Sequence, residues 1–88
     1  MKTFKLKIST PDGSMFDGDA LKLDVRGIEG ELAVMAGHVP FMTAVKPGTC
    51  RILLEDCGER VGELDGGLLN VGSDAVTLLS AKFHWREA

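Results

Sequence analysis

Residues 27–48, GIEGELAVMAGHVPFMTAVKPG, hold the side chains best placed for chemistry: the carboxylates of Glu29 and Glu31 and the imidazole of His38. Such groups can pass protons between them, and set in loops they can equally meet basic or amide groups of another protein. The chain has thirteen acidic residues, so two carboxylates this close arise easily by chance and do not mark an enzyme. Ser9, Ser14, Ser73 and Ser80 lack the G-x-S-x-G elbow of a nucleophile, and Gly66-Gly67 lacks the G-x-x-x-x-G-K-[ST] frame of a phosphate loop. Cys50 and Cys57, even with His38 and His84, lack the C-x2-C spacing of a zinc site. On a single extended strand the two cysteines would fall on opposite faces, too far apart to bridge, and they read as reduced thiols. No catalytic, cofactor-binding or metal-ligating set emerges, so the segment reads as an interaction surface.

Strands joined by tight loops must position it. Gly27, Gly30, Gly37, Pro40 and Pro47-Gly48 interrupt any helix and leave Leu32, Val34 and Met35 available for a core. Upstream, Phe4, Leu6 and Ile8 alternate with Lys5 and Lys7, the period of a half-buried strand, which Thr10-Pro11-Asp12-Gly13 turns. Leu21, Leu23 and Val25 alternate with Lys22, Asp24 and Arg26 in the cleanest strand pattern of the chain. Residues 50–54 and 60–64 form a hairpin about Asp56-Cys57-Gly58. Gly66-Gly67 ends the second of these strands, residues 68–71 make a short strand, and Gly72-Ser73-Asp74 turns the chain into a last strand at 75–79. Turn signals about every ten residues, with no helical period of convincing length, predict an all-β antiparallel sandwich or barrel.

At 88 residues the chain is one domain, 1–88, with room for a single core. Hydrophobic content of 44% against 26% charged residues is that of a folding globular protein. A net charge of −3 with scattered basic residues argues against nucleic acid as a partner. No stretch approaches the roughly 18 apolar residues of a spanning helix, and the start of the chain has no signal-like apolar region, so a soluble, unexported protein is expected.

Gly27, Gly30-Glu31-Leu32, Gly37-His38, Pro40, Thr43-Ala44 and Lys46-Pro47-Gly48 resemble the signature of the epsilon subunits of rotary ATP synthases. The similarity extends to Met15-Phe16 with Gly18, to Gly66-Gly67 and to residues 76–79, nearly the whole chain. Ala33 and Ala36 depart from it, standing where the family commonly has glycine and proline. The resemblance implies a ten-stranded antiparallel β-sandwich of two five-stranded sheets. The helical hairpin that follows this sandwich in family members does not follow Arg86-Glu87-Ala88, so neither inhibition of ATP hydrolysis nor ATP binding by that hairpin is expected.

The family likeness further implies a non-catalytic part of the central stalk, bound to the gamma subunit and to the polar loops of the c ring. It would turn with them, couple proton or sodium-ion flow to ATP synthesis, and touch the inner face of the energy-transducing membrane only through the complex. Glu29, Gly30 and Glu31 resemble the c-ring contact, and the alternative for the glutamates is a solvated loop. His38, Met15, Met42 and Thr43 resemble the gamma contact. His38 could instead bond its own loop backbone, and Met15, Phe16 and Phe41 could belong to the core. Trp85 either caps an open edge or lies in an interface. Two other classes make different demands: a ligand-binding β domain would need a concave polar pocket, and a carrier domain an attachment lysine, but Lys46 lacks the Met-Lys context of a biotinylated hairpin.

Overall fold

The computed structural model describes residues 2–56 and 58–86. Eight strands follow in order: β1 (Phe4–Thr10), β2 (Gly13–Ala20), β3 (Lys22–Gly27), β4 (Gly30–Met35), β5 (Phe41–Leu53), β6 (Glu59–Val71), β7 (Ala75–Leu79) and β8 (Phe83–Trp85), and no helix occurs among the described residues. Alternation built the interior: Leu6, Ile8, Leu23, Val25 and Ile52 are buried in one cluster to which every strand contributes, while Lys5, Lys7 and Arg26 between them stay outside. Leu21 closes the core from the bend before β3, and Leu32 packs against its margin. Met35, expected to be available to the core, is 55% exposed, because Val34 occupies the inward position and the next residue of a strand must face outward.

The expected count of ten strands in two separate sheets gives way to eight strands in one hydrogen-bonded path, β2-β1-β7-β6-β5-β3-β4, with β8 on β6. Expected breaks at Pro47-Gly48 and Gly66-Gly67 become bends within two 13-residue strands, β5 and β6, which pair on both sides of Lys46 and Gly66. Gly66 takes a φ of 87°, which turns the strand without ending it, and a side chain at Gly67 would overlap the Leu79 carbonyl oxygen of β7. Beyond the bend β6 changes neighbours: residues 62–64 pair with β8 and residues 68–71 with β7. The β5–β6 ribbon thus folds the sheet back on itself around the core, and β-sandwich describes the result. The arrangement is antiparallel except for β1 and β7, which run parallel from Lys5↔Ala75 to Ser9↔Leu79.

The turns obey local chemistry. Thr10 Oγ1 accepts from the Asp12 amide at 3.2 Å and Gly13 follows with φ 130°, an arrangement that fits the Thr-Pro-Asp-Gly signal. In the β5–β6 hairpin the Leu54 amide donates to the Gly58 carbonyl at 2.8 Å and Asp56 Oδ1 accepts from the Gly58 amide at 2.9 Å. Cys57 of the expected turn lies outside the described residues; Cys50 is a free, buried thiol of the core. β2 and β8 carry no clear alternation and were not anticipated as strands. Each is added at the margin of the sheet by pairing with an already specified neighbour.

Candidate functional site

The acidic residues sit at a hairpin tip. Gly27 pairs with Gly30 at the closed end of β3–β4, leaving Ile28 and Glu29 as the exposed turn, and Gly30 supplies a φ of 125° that disfavours side-chain-bearing residues. Glu31 follows on β4, exposed and directly across from Arg26. Neither Glu29 nor Glu31 has an ion-pair partner among the described residues.

The tip faces the start of β5 across a depression of about 310 Å³, whose walls include Ile28, Glu29, Glu31, Phe41, Met42 and Thr43. Residues expected to meet two different partners therefore adjoin. Met42 is 61% exposed. Thr43, one position on, shares the inward-facing parity of Phe41 and Val45, and its hydroxyl donates to the Ala44 carbonyl at 3.3 Å. Met42 and Thr43 thus point to opposite sides of β5.

His38 occupies a neighbouring depression of about 370 Å³, walled by Met35, Gly37, Phe4, Lys5 and the turn after Val71. Its Nδ1–H donates to the Val39 carbonyl at 2.8 Å and its ring lies tilted on Phe41, 5.0 Å between centroids. The loop-bonding alternative describes this geometry, and Nε2 is the ring atom left for a partner. Met15 is not part of this group. It lies on β2 near the Ile8–Ser9 end of β1, whereas the His38 depression touches the opposite end, and it packs partly buried against the core with Phe16.

Trp85 is half-buried against Phe83 and Phe16, with the Arg60 guanidinium 3.7 Å from its ring centre. Its ring joins β8 to β2 through Phe16 and carries a cation over one face.

Leu68 and Leu79 were missed. They stand directly opposite each other on β6 and β7 and are 40% and 48% exposed, whereas Leu69 and Leu78 beside them are fully buried. Ala44 pairs with Leu68, so an apolar outer row runs from β5 to β7, beside Met42. The signal was present in the doublets Leu68-Leu69 and Leu78-Leu79: successive residues of a strand cannot both face the core. An apolar row thus lies beside an acidic tip, and no set of three or more metal-binding side chains occurs among the described residues.

Comparison with known proteins places this surface in context. Residues 3–86 match the family described as ATP synthase, Delta/Epsilon chain, beta-sandwich domain. The chain belongs to that family. A sodium-ion-specific ATP synthase epsilon chain of Acetobacterium woodii is 40% identical to this delta/epsilon sandwich over 86 residues, 98% of this chain and 65% of the relative. The sandwich therefore spans just under two thirds of that relative's length. A chain of the Euglena gracilis mitochondrial ATP synthase, solved with its c-ring, has a TM-score of 0.89 at 20% identity, covering 94% of this chain and 53% of that one. A chain of the Tetrahymena thermophila mitochondrial ATP synthase central stalk and c-ring gives 0.79 at 13% identity, covering 94% and 66%. These two show the fold.

Proposed function

We propose that this delta/epsilon sandwich is a non-catalytic rotor element of a rotary ATP synthase. It joins the gamma subunit to the polar loops of the c ring, on the inner face of the energy-transducing membrane, and transmits rotation between proton or sodium-ion flow and ATP synthesis. The observation that carries the reading is the 40% identity with an ATP synthase epsilon chain across 98% of this chain.

The surface supports it. A part that couples by position must be stiff and must grip two neighbours, and the closely packed core supplies the stiffness. Glu29, Gly30 and Glu31 take the ring side. Met42, with Leu68 and Leu79 beside it, Thr43 on the same depression and His38 at the next one, takes the gamma side; Met15 lies apart on β2 and would reach gamma separately. Residues 1–88 act as one body.

Mixing the chain with purified gamma subunit tests the reading. A stable complex on size exclusion is expected; failure of the folded proteins to co-elute over a broad concentration range would remove the assignment.

A further inference from the structure

Three methionines occur among the described residues, on β2, β4 and β5, and their surroundings differ. Met15 packs partly buried against the core, as does its neighbour Phe16. Met35 and Met42 are each more than half exposed. Of the three, Met42 belongs to the apolar outer row. It shares the outward face of Ala44 and lies one diagonal step across the β5–β6 pairing from Leu68, which in turn stands opposite Leu79. A thioether in such a row is apolar and polarizable, and its sulfur is open to attack by solvent-borne oxidants. Asn70, directly opposite Met42, carries amide N–H groups of the kind that donate to a sulfoxide oxygen.

We propose that Met42 is a modification site for hydroperoxides, and that its sulfoxide switches the row from β5 to β7 from apolar to polar. A sulfur lone pair attacks the terminal peroxide oxygen and the O–O bond breaks. That oxygen stays on sulfur as the sulfoxide, while its proton passes to the departing oxygen, which leaves as water or an alcohol. Sulfur loses two electrons and the peroxide gains them. A sulfoxide reductase drawing two electrons from a dithiol restores the thioether, and the oxygen leaves as water. The reaction needs only an uncovered row, as in the free chain, whatever the row later meets. Oxidation would weaken the hold of this row on any apolar surface, because the sulfoxide would have to be desolvated.

Treating the free chain with hydrogen peroxide, in a Cys57→Ser background that removes a competing thiol, tests the site when each methionine is followed by peptide mass spectrometry. Met42 is expected to oxidise several-fold faster than Met15. The thermal transition should not move, because the Met42 side chain already stands in solvent. The oxidised chain should leave a phenyl matrix earlier than its parent. Met42→Leu keeps an apolar side chain without the thioether and is expected to abolish that change, whereas Met35→Leu, on β4 away from the row, should leave it in place. Oxidation of Met42 no faster than that of Met15 would overturn the site. A retention change that survives M42L, or that M35L removes, would overturn the switch in the row.

Discussion

The two ends of the β5–β6 ribbon share one core and present opposite outer surfaces. Before the bend in β5 and after it in β6, the outward side chains are Met42, Ala44, Leu68 and Asn70, with Leu79 alongside on β7. On the other side of the bend they include Arg51, Glu59 and Glu63. There Arg51 pairs with Glu59 at 3.4 Å, Arg86 pairs with Glu63, and on neighbouring β3 Lys22 pairs with Asp24 at 3.7 Å. Exposed ion pairs of this kind add little stability, but they keep a sheet face wet. The apolar row has no such cover, so a single bent hairpin divides the molecule into a charged face and an apolar one.

Removing the shared core should abolish the division. Leu23 is fully buried on β3, between β4 and β5, and Leu23→Asp would place an unpaired carboxylate there, costing several kcal/mol against a total stability of about 5–15 kcal/mol. The expected result is loss of the cooperative thermal transition by circular dichroism; a normal transition would show that the β3 register is wrong. The bend itself is the next target. Gly67→Val would force β7 away from β6, because even a Cβ at that position overlaps the Leu79 carbonyl. A loss of about 1–3 kcal/mol or more is expected in urea unfolding, and an unchanged midpoint would mean that the close approach is not needed to hold the two faces apart.

These two residues also show what could be read from the chain alone. Leu23 was legible because its neighbours alternate in polarity, and a period of two leaves little choice of face. Gly67 was misread because Gly-Gly has the same local chemistry whether a strand stops or bends, and only the approach of β7, distant in sequence, decides between them. Pro47, read as an interruption of any helix, sits paired opposite Asp65 inside β5. At the site, Glu29, Glu31 and Met42 were placed on the surface from turn chemistry and family likeness. The joining of Glu29, Glu31 and Met42 around one depression depends on how β5 folds over the β3–β4 tip, which no local pattern encodes. Met35 and Thr43 were assigned without their strand parity, and parity decides both.

The charged side reaches the interior at Cys50, which sharpens the contrast through pH. Burial, with a smaller contribution from the Asp24 carboxylate, pushes this thiol from 9.0 up to about 12. Once the unfolded chain loses the proton while the folded chain keeps it, the folded state binds more protons and stability must fall as pH rises. This contribution is absent below about pH 9 and grows between there and about pH 12, with a slope approaching ~1.4 kcal/mol per pH unit. Compared in a Cys57→Ser background, Cys50→Ala is expected to flatten that part of the alkaline profile. Equal slopes in the two proteins would show that solvent reaches the thiol.

The smallest effects on stability should separate the two docking contacts most sharply. Leu79→Lys changes an outward side chain, and a surface change of this kind stays within about 0.5 kcal/mol of the parent. It should nevertheless weaken the gamma complex, because the lysine would have to be desolvated against an apolar partner. Glu31→Arg, at the exposed acidic tip, should leave the fold equally intact but act at the ring: ATP-driven ion pumping in reconstituted enzyme is expected to fall as a like charge replaces the carboxylate. Pumping and gamma affinity that fall together would tie the acidic tip to both partners, whereas pumping lost at undiminished gamma affinity would confine Glu31 to the ring. Unchanged pumping would remove the ring assignment altogether.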